Sequence, residues 1–283
     1  HNDVGCFFYA KLSLFHHPSY FAMYLNFAIG LLLLNNISPF LKIKINRNKS
    51  YLLIVFLTIF VVLLSSRTGW ITNILIQFIF LIFYFKNKAF KTNIFIYIIV
   101  VIVSYVSIYN IPNLKRRAGE LTSKVKLSLS NPITENQSNI PKIIKKTSST
   151  NSRKIAWELS IDLIKNKFLF GYGTGLGQKE LNKKFFENGY KILKNKSLNC
   201  HNQFLQIQLD HGLIGSICLL FFTFIMLIFS LVEKDYLYAL FLTIIILNFM
   251  TESMLETQSG VVFFSFFNTL FFHNFIDKKF NLN

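Results

Sequence analysis

Blocks of apolar residues, each close to the length needed to cross a bilayer, alternate along the chain with short polar breaks. Seven such blocks can be drawn, at roughly 20–37, 50–66, 70–86, 93–109, 211–232, 236–251 and 259–275. Ile94 to Val106 and Leu213 to Val232 are nearly free of charge. The pattern predicts an all-α, polytopic integral membrane protein with about seven transmembrane helices. One long polar stretch, Asn110 to Asn202, interrupts it. The division that follows is a first bundle of four spans (1–109), a large loop (110–210) and a second bundle of three spans (211–283).

The loop itself has two halves. Leu121 to Asn151 is rich in Ser, Thr, Asn and Lys and contains Pro132 and Pro141, a composition that favours no packed structure. From Arg153 the period changes. Ile155, Ala156, Leu159, Leu163 and Ile164 recur at helical spacing, with Lys154 and Glu158 four apart on the wetter side. This predicts an amphipathic helix lying on the membrane or on the span bundle, ended by a flexible turn at Gly171, Gly173, Gly175 and Gly177.

Charge orients the spans. The chain has 283 residues, 52% of them hydrophobic and only 15% charged, against about a quarter in soluble domains. Its formal net charge is +17, which in a soluble protein points to nucleic acid. Here the short loops hold the orienting charge: Lys42, Lys44, Arg47 and Lys49 in one, Lys86, Lys88 and Lys91 in another, Lys278 and Lys279 in the tail. Short basic loops stay in the cytoplasm, so nucleic acid is not implied. Alternation then places residues 1–19, the Arg67 turn, the 110–210 loop and the Glu252–Gln258 turn on the outer, periplasmic face of a bacterial inner membrane. Residues 110–202 carry 18 Lys and Arg against 6 Asp and Glu, but long translocated loops escape the charge rule. Cys6 and Cys200 share the outer side on this topology and are candidates for one bridge, whereas Cys218 falls inside a span.

Several positions on the outer side are candidates for chemistry. Arg67, between two apolar runs, fits either an arginine snorkelling beside Trp70 or a fixed guanidinium gripping phosphate oxygens. Arg153 opens the amphipathic helix. His201 stands where the loop enters a span. It fits either a proton-transfer group or a histidine that caps a helix start; His211 is the weaker candidate. Glu252 and Glu256 either orient a base and balance the arginines or cap the incoming helix. His16 and His17 share this side. The glycine run lacks the Gly-Lys-Ser/Thr ending of a phosphate loop, and no His, Cys and Asp residues have metal-ligand spacing.

Three segments in order resemble the O-antigen ligase and polymerase superfamily of membrane glycosyltransferases. They are Ser66-Arg67-Thr68-Gly69-Trp70; Arg153 to Trp157 leading through Phe168 to Gly175; and His201-Asn202-Gln203-Phe204-Leu205-Gln206 with His211-Gly212-Leu213-Ile214-Gly215. The resemblance implies a GT-C type helical fold of ten to twelve spans, so further spans are expected before this chain's first residue. It also implies an undecaprenyl-diphosphate-linked glycan donor, an acceptor glycan or lipid A core, and inverting, metal-independent transfer without a cofactor. On it, His201, Arg153 and Arg67 are catalytic, and Arg67, Arg153, Asn202 and Glu252 bind substrate. The alternatives are a transporter or flippase of an anionic lipid or solute, and an inactive scaffold. A transporter should carry polar residues in the middle of its spans, whereas these spans read as Phe, Ile and Leu through their centres.

Overall fold

The computed structural model describes residues 12–13, 17–37, 45–86 and 149–280. The described residues are all helical, without a strand, and fall into two units divided between Gln137 and Ser138. In the first, α1 (Pro18–Ile37), α2 (Arg47–Leu63) and α3 (Arg67–Lys86) pack on one another. The second holds α4 (Ser149–Asn166), α5 (Leu176–Glu187), the short α6 (Lys191–Asn195), α7 (Gln203–Leu220), α8 (Met226–Val232), α9 (Tyr236–Phe249) and α10 (Gln258–Phe280). A turn of π-helix, Phe221–Ile225, joins α7 to α8, so the helical run continues from Gln203 to Val232.

Among the described residues, three helices are long and apolar enough to cross a membrane: Pro18–Ile37, Gln203–Val232 and Gln258–Asp277. Arg67–Ile82 and Tyr236–Phe249 are shorter apolar helices. The apolar block at 93–109 lies outside the described residues, as does the polar segment 121–148.

Polar residues sit deeper in the first unit than the sequence suggests. Asn26 on α1 donates to the Gly69 carbonyl (2.9 Å) and accepts from Asn73 on α3 (2.9 Å). Gln77 in turn donates to Asn73 (2.7 Å) and to Thr58 on α2 (3.4 Å). All four side chains are buried, so the centres of these helices are not uniformly apolar. The bonds of Asn26 and Thr58 run between helices of the same unit. Such inter-helix hydrogen bonds hold apolar helices together where lipid gives no hydrophobic drive. Ser66 opens α3 by accepting from the Gly69 N–H (3.2 Å).

Phenylalanine does the packing in the second unit. Phe241 of α9 is surrounded by Phe263, Phe264, Phe267 and Phe271 of α10, with ring centroids 5.4–6.5 Å apart. Tyr238 donates to Asn268 across the same pair of helices (2.9 Å).

The second half of the polar loop folds into a compact helical cap. Ala156, Leu163 and Ile164 of α4, Leu181 and Phe185 of α5, Leu193 of α6, Cys200 and Leu209 of α7 form one buried cluster. Each large apolar side chain hidden there contributes about 1.5–3 kcal/mol. The face expected from the period is the face buried, and Lys154 and Glu158 pair outside at 3.6 Å. The helix starts earlier than the sequence pattern, at Ser149, and its apolar stripe is covered by α5, α6 and the head of α7.

The cap and α7 are joined through backbone. Gly212 breaks α7 with φ 63° and ψ −154°, a conformation open only to glycine. The carbonyls of Leu209 and Asp210 accept instead from Tyr172 (2.9 Å) and Gly173 (2.8 Å), while Leu213 donates to Phe168 and Leu169 (both 3.0 Å). The glycine run is thus a fixed clasp and not a flexible turn. The predicted span starting at 211 is the apolar part of a helix that begins eight residues sooner, at Gln203.

Gly212→Ala should therefore be the costlier of two alanine substitutions, because its Cβ would meet the Leu169 carbonyl and the Gly171 nitrogen. Gly173→Ala, whose Cβ would have 3.5 Å to its nearest neighbour, should lose only the backbone term of about 1–3 kcal/mol. Thermal unfolding of the detergent-solubilised protein checks the order; equal losses would mean that the clasp is loose.

Candidate functional site

Glu252 follows the last turn of α9, its N–H bonded to the Asn248 carbonyl (2.9 Å), and its side chain is only 7% exposed. A carboxylate this buried needs partners, since an unpaired charge at that depth costs several kcal/mol. It has one on each oxygen. Arg153 Nη2 donates to Oε1 and His201 Nδ1 meets Oε2, both at 2.8 Å. Arg153 and His201 are 33% and 26% exposed, so each is held at one end and open at the other. The guanidinium retains further N–H donors beyond the one given to Glu252. With Nδ1 donating to the carboxylate, the imidazole lone pair lies on Nε2.

His201 is fixed by its backbone as well as by its ring. Its φ is +44°, a conformation that non-glycine residues adopt at a cost. The preceding peptide is gripped from both sides. Trp157 Nε1 of α4 donates to the Cys200 carbonyl (2.6 Å), and the Cys200 N–H donates to Gln206 (3.3 Å), which itself bonds Asp210 (2.8 Å). The His201 N–H goes to Asn199 Oδ1 (3.0 Å). Strain held in place by several partners at a candidate proton-transfer group is what a preorganised site shows.

The segment bearing His201 is laced to the turn bearing Glu252. The Asn202 N–H donates to Ser253 Oγ (3.3 Å), its amide to the Met250 carbonyl (3.4 Å), and the Leu255 N–H to Gln203 (2.6 Å). Asn202 also caps α7, its Oδ1 accepting from Phe204 (3.0 Å) and Leu205 (3.2 Å). Asn202 therefore has a structural duty that the sequence alone did not assign.

Of the residues singled out by sequence, Arg153, His201, Asn202 and Glu252 come together in the second unit. Arg67 opens α3 in the first unit, half-buried. His211 instead meets Thr174 at 3.2 Å in the open. His17 accepts from the Ser19 N–H (3.3 Å) before α1, and His16 lies outside the described residues. Glu256 is on the turn after Glu252, its carboxyl pushed up by burial first and by nearby Asp210 second. Among the described residues no group of His, Cys, Asp and Glu has the arrangement of a metal site. Sequence reasoning missed Trp157, Gln203, Gln206 and Ser253 as supports. A signal for the glutamines exists: Gln203, Gln206 and Asp210 recur on one face of α7, and all three are buried.

Cys200 is a free thiol, wholly buried, 3.1 Å from Ser160 Oγ; its suggested partner Cys6 lies outside the described residues.

Among known families the chain matches the one described as O-antigen ligase, over residues 52–220, and it belongs to that family. The family is one of membrane-bound, glycosyltransferase-like enzymes, in keeping with the apolar helices seen here. The matched span includes Arg67, Arg153 and His201; Glu252 lies beyond it and is brought in by the fold. No curated protein and no solved structure matches the chain.

Burial pushes the Cys200 thiol up to about 12, so roughly one part in ten thousand is thiolate at pH 8. Iodoacetamide at that pH should leave Cys200 unmodified in the folded protein and alkylate it after denaturation, as read by peptide mass spectrometry. Ready labelling of the native protein would show that the cap opens.

Proposed function

We propose that this protein transfers a glycan from an undecaprenyl-diphosphate carrier to an acceptor hydroxyl on the periplasmic face of the inner membrane, in the manner of an O-antigen ligase or polymerase. The observation that carries the reading is the buried carboxylate of Glu252, which ties Arg153 to His201 at 2.8 Å each, in a member of the O-antigen ligase family. On this reading residues 1–109 and 211–283 are the membrane bundles and 110–210 the periplasmic loop.

The chemistry needs two things, a base for the acceptor and charge for the leaving group. His201 Nε2 takes the proton of the acceptor hydroxyl as its oxygen bonds to the anomeric carbon. The carbon–oxygen bond to the diphosphate breaks, and its electron pair leaves with undecaprenyl diphosphate. Arg153 binds the diphosphate and stabilises the charge that develops there; the family resemblance gives Arg67 a phosphate-binding role of its own. Glu252 keeps the imidazole in the tautomer that accepts at Nε2 and sets the guanidinium; Asn202 fixes the helix start that presents His201. Transfer by these groups requires neither metal nor cofactor, because the diphosphate is already an activated leaving group. The acceptor is another glycan or the lipid A core.

The central polar ladder of the first unit does not favour transport, since Asn26, Asn73, Gln77 and Thr58 bond to each other within the bundle.

Arg153→Ala, Arg67→Ala and His201→Ala should each lower transfer by about 10²–10³-fold, the scale of a lost oxyanion donor; Arg153→Ala should in addition lower the unfolding temperature, because Glu252 is left buried without its cation. Glu252→Gln should lower activity through both partners, and Glu252→Ala should also lower the unfolding temperature, because Arg153 loses its buried partner. The surface-polysaccharide ladder of each variant strain, set beside a deletion strain, reads the activity. Loss of all O-chain with accumulation of lipid-linked polymer names a ligase, and a single repeat on the core names a polymerase. A normal ladder in the His201→Ala strain would overturn the assignment of the base.

A further inference from the structure

Beside the clasp stands a turn whose side chains point away from every core described so far. Phe168, Leu169 and Phe170 are 51%, 56% and 75% exposed, an unbroken apolar run on the surface of the cap. Three consecutive large apolar side chains in the open are costly in water and mark a contact surface.

Their depth is fixed by backbone. The Phe168 and Leu169 carbonyls accept from the N–H of Leu213, at the kink in α7. That residue is also where α7 changes character. Before it come Gln203, Gln206, Gln208, Asp210 and His211; after it the chain has no charge up to Val232, and Ile214 and Ile217 face outward. The kink thus marks the edge of the apolar run that can cross a bilayer, and the exposed turn is hydrogen-bonded at that edge. Lys165 and Lys167 flank it, both exposed, with Lys167 Nζ 4.9 Å from the centre of the Tyr172 ring. Aromatic and aliphatic tips below, with lysines that can reach phosphate above, are the composition of an interfacial anchor.

We infer that the Phe168–Phe170 turn inserts into the headgroup and acyl boundary of the leaflet that α7 enters, with Lys165 and Lys167 on lipid phosphates. It seats the cap on the bilayer. The partner is the phospholipid surface itself. The inference stands on the membrane helix and the exposed turn, and it is independent of the transfer chemistry proposed above.

The test is a nitroxide label at position 170, through Phe170→Cys in the full-length protein with Cys6→Ser and Cys218→Ser. The protein is reconstituted in vesicles of phosphatidylethanolamine and phosphatidylglycerol. Lys183→Cys, on the exposed side of α5, is the reference in water. Molecular oxygen should relax the label at 170 several-fold more than a water-soluble nickel chelate does, with the reverse order at 183. A nickel response at 170 equal to that at 183 would place the turn in water and overturn the inference. Shielding of 170 from both reagents would show a protein segment over the turn, and that also overturns it. Leu169→Cys, read in the same way, guards against a local effect of one substitution, and an unchanged unfolding temperature shows that each variant is folded.

Discussion

The exchange of backbone hydrogen bonds around Gly212 is the constraint on which the second unit depends. A helix that kinks leaves carbonyls and N–H groups without partners, and near a bilayer water does not supply them freely. Here the glycine turn at 171–173 takes up the freed carbonyls of Leu209 and Asp210, and Phe168 and Leu169 take the freed Leu213 N–H. Only glycine at both 171 and 212 lets the two chains approach this closely. Everything in the cap is registered against α7 through that contact. Trp157 then reaches Cys200, and Arg153, one turn earlier on α4, reaches Glu252.

The electrostatics of the site follow from this registration. Glu252 belongs to a turn between two apolar helices, where a carboxylate would ordinarily be expensive. Its two oxygens are answered by a permanent cation from the cap and an imidazole from the head of α7. The carboxylate therefore measures whether three separate segments are correctly assembled, since misplacement of any one leaves a charge buried without its partner.

Much of this was legible in the sequence, because the signals were local. Helical period in Arg153 to Ile164 points to the right buried face, and the apolar blocks at 20–37, 211–232 and 259–275 fall inside helices at 18–37, 203–232 and 258–280. Arg67, Arg153, His201 and Glu252 share one side on the topology expected from charge; of these, Arg153, His201 and Glu252 meet by hydrogen bonds in the second unit. What was not legible depends on partners distant in the chain. The Gly171 turn reads as flexible when its acceptors on Asp210 are out of view. Asn26, Asn73 and Gln77 read as isolated polar residues, and only the packing of α1 on α3 makes them a ladder. The π-turn at Phe221–Ile225 has no marker in a run of apolar residues.

The cap's core has one further consequence, for the order of biogenesis. Cys200 and Leu209, which precede or open a membrane-bound helix, complete the same cluster as Leu181 and Phe185. The rest of the cap emerges from the ribosome before them and cannot close its interior until the head of α7 has been synthesised. A fragment ending before Gln203 therefore lacks part of the wall against which the cap folds.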